Sequence, residues 1–254
     1  MLVAALWIVL QSEEIVCEGA YPQHLQGVAR DSAGDLYWSF TTTLVKTDGA
    51  GRLITKIDVE SHHGDVCVVG DRLYCALNKG QFNSPQGKSD NWIVVYDTSD
   101  LREVGRKQAM IVIHGAGGIA SDGERLIVVG GLPTGVQENY VYEFDLYLNF
   151  VRRYVLDSGW TLLGVQTAAF ADGRWWFGCY GSPAQLLSTG PELGNLSHSQ
   201  FDCSLGLVPL GGGRFLVGRD KAVEGEGHVG SLMPARGSRD GKLRLIHGQV
   251  QNDD

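Results

Sequence analysis

Apolar residues in this chain come in short runs, such as Val66-Cys67-Val68-Val69, Ile93-Val94-Val95-Tyr96 and Leu126-Ile127-Val128-Val129, with Gly, Asp and Asn between them. Hardly any segment sustains the roughly 3.6-residue apolar period of an amphipathic helix, so the pattern predicts strands joined by tight turns. The runs also repeat. Stretches 27–40, 64–77, 117–130 and 206–218 each open on Gly, pass through a Gly-Asp, Asp-Gly or Gly-Gly turn, and end in a second apolar run. The stretch 166–181 is a fifth copy in which Gln166 replaces the opening glycine. By turn chemistry each copy is a β-hairpin.

More strand material follows every hairpin: Leu44 to Asp48 with Leu53 to Ile57, Trp92 to Asp97 with Val104 to Arg106, and Tyr140 to Asp145 with Phe150 to Tyr154. The last two copies are less regular, with Gln185 to Leu187 before Leu196 to Phe201, and His228 to Met233 before Leu243 to His247. Asp48, Asp97 and Asp145 stand where a side chain can cap the turn between third and fourth strands. A four-stranded antiparallel unit of about 40 to 50 residues is a propeller blade. The expected fold is therefore an all-β propeller of five four-stranded blades, with six as the open alternative. It fills one domain over 1–248, leaving 249–254 as a disordered tail. The N-terminal strand, expected over Leu2 to Val16, either completes the last blade as a clasp or contributes to a sixth.

Composition narrows the setting. Of 254 residues 43% are hydrophobic and 20% charged, and the 35 glycines follow no collagen-like period, so they belong to turns and strand ends. The net charge of −8, without a basic run, argues against nucleic acid and against an anionic membrane. The run Leu2 to Leu10 is too short for a bilayer-spanning helix, which needs about 20 residues. It has no Lys or Arg ahead of it and no small-residue cleavage site behind it, so it reads as a strand rather than an export signal. A cytoplasmic monomer is expected. Five cysteines without a C-x-x-C pair read as free, buried thiols, and only Cys67 and Cys75 share a hairpin on which a disulfide could form.

With its repeated strand-Gly-Asp-strand hairpins and the ending Val95-Tyr96-Asp97, the chain resembles the NHL/YVTN-like propeller superfamily over nearly its whole length. That superfamily spans lactonases, lyases, cyclotransferases and binding modules, so the resemblance implies fold more than activity. A second likeness is to the five-bladed plant-type glutaminyl cyclotransferases, in which a Gln-Gly pair opens the first blade as Gln26-Gly27 does here. That family's acidic Gly-Glu-Gly opening of the next blade is only loosely echoed by His63-Gly64-Asp65, and the departure leaves its acid/base residue without a clear counterpart.

In a propeller the first strand of each blade lines the axial channel, so the residues just ahead of each repeated glycine converge. Here they include His24 and Gln26, His62 and His63, His114, and Gln166, which places four of the seven histidines in three equivalent windows. Loops after the hairpins add Trp38, Asn78 and Tyr180. A rim of amide, aromatic and small residues suits a polar small molecule. His198, His228 and His247 fall outside the register and read as ordinary surface or strand residues. Successive residues of a strand face opposite ways, so only one of His62 and His63 should enter the channel; His63 is preferred, with Asp65 on its face to orient it. Trp175-Trp176 reads as blade packing, and Gly115 to Gly118 as close backbone approach rather than a phosphate loop, since no Lys-Ser/Thr follows.

Three functions fit this rim. The first is a hydrolase or lyase in which His24, His63 and His114 bind a divalent Zn, Mn or Fe ion. The second is metal-free acid–base chemistry of the cyclotransferase type, with His63 and either Asp65 or Glu143. The third is a non-catalytic module for a glycan or peptide. Serine-hydrolase and P-loop signatures are absent from the sequence.

Overall fold

A computed structural model describes residues 14–84 and 88–246 of the chain. Four meanders follow in chain order. Blade one is β2 (Leu25–Arg30), β3 (Leu36–Phe40), β4 (Thr43–Thr47) and β5 (Leu53–Asp58). Blade two is β6 (His63–Val69), β7 (Arg72–Asn78), β8 (Asn91–Asp97) and β9 (Glu103–Gln108). Blade three is β10 (Ala116–Ser121), β11 (Arg125–Gly130), β12 (Asn139–Asp145) and β13 (Phe150–Leu156). Blade four is β14 (Leu162–Ala171), β15 (Arg174–Gly181), β16 (Ala184–Thr189) and β17 (Ser197–Gln200). Each is an antiparallel sheet paired in sequence order.

Blade five closes the ring. Its β18 (Leu207–Gly211), β19 (Arg214–Val223) and β20 (Gly227–Gly237) pair in order. The outer edge of β20 is shared by the two ends of the chain. The N-terminal β1 (Ile15–Val16) pairs with Leu232 and Ser231, while β21 (Leu243–Leu245) pairs with Ala235 to Gly237. The clasp is thus one of the two N-terminal arrangements the sequence allows, and the described residues form five blades. Leu2 to Leu10, His247 and the tail 249–254 lie outside the described residues. First strands contact one another around a closed circle, β2 to β6, β10, β14, β18 and back to β2.

The core lies between blades rather than within one. Trp38, Phe40 and Val28 of blade one pack with Val208, Leu216 and Leu232 of blade five. Trp176 meets Phe215, at ring centroids 5.3 Å apart, across the seam of blades four and five. Such faces bury their apolar area only when the neighbouring blade is present, so no blade is stable alone. Trp38 belongs to this core: it is 0% exposed and its indole N–H donates to Thr47 Oγ1 at 2.9 Å, which removes it from the binding rim. The turn caps appear as the sequence requires. Asp48, Asp97 and Asp145 each accept the backbone N–H two residues on, at 2.9, 3.0 and 2.9 Å. All five cysteines are free.

One side chain crosses the axis. Asp65 is 1% exposed, accepts the Ala168 N–H of blade four at 2.9 Å, and is bonded by the backbone N–H groups of Val66 and of Ile119 in blade three. From blade one, Gly27 presses against it so closely that any Cβ there would collide with the carboxyl. The repeated glycine of that blade exists for this approach.

Candidate functional site

Above Asp65 the channel opens into a cavity of about 230 Å³ lined by residues of four blades. Blade one contributes His24 and Gln26; blade two contributes His62, His63, Gly64, Asn78 and Phe82. Ala116 and Gly117 come from blade three, and Leu163, Gln166 and Tyr180 from blade four. Phe82, on the long connection from β7 to β8, forms a wall against the backbone of Gly115 and Gly117. A Cβ on Gly115 or Gly117 would run into its ring, so the glycine-rich stretch does provide close backbone approach.

Hydrogen bonds fix which atom of each amide faces the cavity. Asn78 Oδ1 accepts the backbone N–H groups of Gly80 and Asp90, at 3.0 and 3.1 Å. Those partners can only donate, so the oxygen is identified, and the Nδ2 donor has no partner among the described residues. Gln166 is the reverse. Its Nε2 donates to the Leu163 carbonyl at 2.6 Å, leaving Oε1 as an open acceptor. Gln26 donates from Nε2 to His24 Nε2 at 2.9 Å and to Thr41 Oγ1 at 3.2 Å, while Thr41 passes its own proton to the His24 carbonyl. His24 therefore accepts at Nε2 and carries its proton on Nδ1.

His63 is fixed on both sides. Its Nδ1 meets the Glu60 carbonyl at 2.5 Å, which can only accept, so Nδ1 donates and Nε2 accepts from the Tyr96 hydroxyl at 2.6 Å. Burial lowers its pKa to about 4, against the opposing pull of the Glu60 carbonyl, and the ring is neutral. Burial also lowers His24 from its ordinary value; Asp220 pulls the other way, and His228 and His62 add to the lowering. Burial raises the Tyr180 hydroxyl to about 12, with Asp202 and Asp220 acting in the same sense. Among the described residues no Asp, Glu, Lys or Arg lines the cavity.

Seven of the sequence-derived rim residues meet in this cavity: His24, Gln26, His62, His63, Asn78, Gln166 and Tyr180. His62 corrects the alternation argument. It precedes β6, where strand alternation does not apply, so the side chains of 62 and 63 both reach the cavity, and the ladder slips just beyond them, between His63 and Val66. The same slip separates Asp65 from His63. Asp65 bonds backbone N–H groups at the axis and does not orient the imidazole. His114 is turned away, with Nδ1 at 3.2 Å from the Ser84 carbonyl and its ring against Tyr140. Glu143 sits in the third strand of blade three, where its Oε2 takes Arg125, Arg152 and Tyr154 at 3.1, 3.1 and 2.6 Å.

The three-histidine metal set is accordingly not assembled. His63 has no free nitrogen and His114 is not in the cavity, and among the described residues no group of three or more His, Cys, Asp or Glu side chains is arranged to hold a metal ion. The donor set does not fit a metal ion.

A pair from blade five completes the mouth, and of it the sequence reading missed His228. His228 lies with its ring 6.1 Å from that of His24, and its Nδ1 pairs with Asp220 Oδ2 at 2.7 Å. They reach the mouth because β19 and β20 run 10 and 11 residues, whereas second and third strands elsewhere run 5 to 8. The unusual length of these two runs, rather than the hairpin register, was the signal available.

No family profile matches the chain, and no curated protein sequence does. Solved structures share the fold. BamB from Moraxella catarrhalis is 13% identical with a TM-score of 0.43, over 89% of this chain, which spans 65% of that protein. Myxococcus xanthus glutaminyl cyclase is 11% identical with a TM-score of 0.60, covering 92% of this chain and 95% of the other. A protein of unknown function from Bacteroides caccae is 12% identical with a TM-score of 0.54, covering 93% of each. The likeness is one of β-propeller fold.

Proposed function

We propose that the cavity binds a neutral primary amide and carries out metal-free acid–base chemistry on it, of the kind that closes an N-terminal glutaminyl residue to a lactam. The observation that carries this reading is the pairing of an open donor, Asn78 Nδ2, with an open acceptor, Gln166 Oε1, in a cavity without a fixed charge. A carboxamide needs both partners, and a carboxylate in its place would leave its charge uncompensated there. The likeness in fold to a glutaminyl cyclase over almost the full length of both chains supports the same choice.

In such a reaction the α-amine attacks the γ-carboxamide carbon, forming a C–N bond while the original C–N bond breaks and ammonia leaves. A base takes one proton from the amine and returns one to the departing nitrogen, so no water or redox partner is consumed. His24 is suited to this role. Burial keeps it neutral near pH 7, and its accepting Nε2 becomes free when the Gln26 amide turns to the ligand. Asn78 Nδ2 would meet the carbonyl oxygen, where negative charge develops. His63 serves as a neutral, fixed wall.

The test is incubation of chelator-treated protein with a peptide bearing an N-terminal glutamine, following ammonia release and the pyroglutamyl product. Product formed above the spontaneous rate is expected. Asn78→Asp keeps the oxygen that holds Gly80 and Asp90 but replaces the donor, and should lower turnover by roughly 100-fold with the fold retained. Binding without turnover would make the propeller a recognition module, and neither binding nor turnover would end the amide reading.

A further inference from the structure

We infer that Asp220 and His228 form a positioning pair that holds His24 in place and sets its readiness to accept a proton at the cavity mouth. The inference rests on the reading of His24 as the acid–base group, and it begins from the seam where the propeller ring closes. Asp220 on β19 is bonded through both oxygens. Oδ1 accepts the Leu25 N–H at 2.9 Å, beside His24 in blade one, and Oδ2 takes His228 Nδ1 at 2.7 Å. The carboxylate therefore links blade five to the first residue of β2, which follows His24 and precedes Gln26.

His228 is held at its backbone and at its ring, the ring by Asp220. Its backbone exchanges two hydrogen bonds with Tyr21, at 2.9 and 2.7 Å, and its ring lies 6.1 Å from that of His24 at a tilt of 58°. His24 is held from the other side, where its carbonyl accepts the Thr41 N–H at 3.2 Å and its Nε2 takes the Gln26 amide. Of the two imidazoles only His24 lines the cavity, bonded there by the amide of Gln26, while His228 is bonded to Asp220 behind it. A carboxylate bonded to an imidazole, set behind a second imidazole that faces the ligand, is an arrangement that tunes proton affinity by charge.

The titratable and charged groups around His24 act in opposing directions. The carboxylate of Asp220 favours its imidazolium, while a proton on His228 or on His62 disfavours it. Asp202 stands near Tyr180 on the same side, and Arg219 spends one amino group on the carbonyls of Asp202 and Gly218. At the separations seen here a single charge change is worth roughly one pH unit on a half-buried imidazole.

A purely architectural role for Asp220 would leave the titration of His24 unmoved. The discriminating measurement is therefore the proton NMR titration of the His24 ring, assigned with His24→Gln, in the intact protein. Asp220→Asn keeps an oxygen for the Leu25 N–H and removes the charge; the His24 midpoint should fall by roughly one unit. His228→Gln keeps a donor for Asp220 and removes the second imidazole; the midpoint should rise. Shifts of opposite sign establish the pair, and shifts of one sign, or none, overturn it. Should Asp220→Asn fail to fold, the His228→Gln titration decides alone: a rise upholds the pair and no rise overturns it. The readout needs no substrate. A protein inert toward glutaminyl peptides but showing the two opposed shifts would keep the pair and lose the reaction, and the reverse result would do the opposite.

Discussion

The two ends of the axial channel are lined by the same first strands, yet their side chains differ completely. One end gathers imidazoles and amides in its cavity of about 230 Å³. The other is a funnel of about 200 Å³ walled mainly by small apolar residues, among them Val28, Val66, Ala120, Ala168 and Val208. The change comes within one residue in three blades: Gln26 and Val28 flank Gly27, Gly64 and Val66 flank Asp65, and Gln166 and Ala168 flank Thr167. Strand entrances follow loops, whose sequence is free of the blade repeat, whereas the strand bodies must pack against neighbouring blades. Polar chemistry can therefore collect at one end without disturbing the core, and the fold alone says little about what collects there.

Asp65 is the partition between these ends, and removing it should have the largest effect. Asp65→Ala strands the N–H groups of Val66, Ile119 and Ala168 in a buried position. Unsatisfied buried donors on three blades should cost on the order of 3–5 kcal/mol, lowering Tm by about 10 °C in a chain of this size. Asp65→Asn keeps an acceptor oxygen and should cost about 1–2 kcal/mol. Burial drives the Asp65 carboxyl well above its ordinary pKa, against the three N–H bonds, so the neutral amide is a tolerable replacement. Calorimetry on both variants checks the ordering; an alanine variant as stable as the asparagine one would show that the ends are divided by backbone alone.

His63 offers a comparison by pH. Its pKa in the folded protein is about 4 against an ordinary 6.5, so between those values the unfolded chain binds the extra proton. Stability from the neutral ring is full above about pH 6.5 and is lost as the pH falls toward 4, with an upper bound on the order of 3 kcal/mol. Asp48, Asp97 and Asp145, held low by the hydrogen bonds of their turns, act in a different window. Depressed carboxylates lose their contribution only below about pH 4. Urea unfolding at pH 7 and pH 5 should show the loss in the wild type. In His63→Gln, which keeps a donor and an acceptor but does not titrate, the difference should shrink. An unchanged slope would place the titrating group elsewhere.

Most of the architecture was legible because the hairpins announce themselves by turn residues at a fixed offset from an apolar run, and because Asp48, Asp97 and Asp145 mark the next turn in three blades. The register also brought His24, Gln26, His62, His63 and Gln166 to one cavity, since it fixes where backbones converge, and the loops after the hairpins added Asn78 and Tyr180. It does not fix where a side chain points. His114 has the right register and is turned onto Tyr140, and Asp65 loses its alternation with His63 to a slip in the ladder. Phe82 was missed because it lies in a connection outside the repeat, and His228 because its strand extends beyond the blade pattern. Side-chain direction and departures from the repeat are tertiary facts that a one-dimensional period cannot carry.

Glu143 supplies the smallest effect and sharpens the contrast between channel and blade. A carboxylate suggests acid–base work, but this one faces Arg152 across the β12–β13 ladder, with Arg125 and Tyr154 on the same oxygen. Burial alone would raise its pKa; the bonds from Tyr154 and Arg152, with the charge of Arg125, bring it below the ordinary value instead. It is thus ionised and engaged at neutral pH, with no proton to give and no contact with the cavity. Glu143→Gln keeps an oxygen for Tyr154 and weakens two ion pairs of a partly exposed network, a loss of roughly 1 kcal/mol or less. Stability should therefore dip slightly while binding and turnover of a glutaminyl peptide stay at the wild-type level. A loss of turnover at full stability would move the chemistry from the channel to the blade, because nothing but a catalytic role could separate the two readouts in that direction.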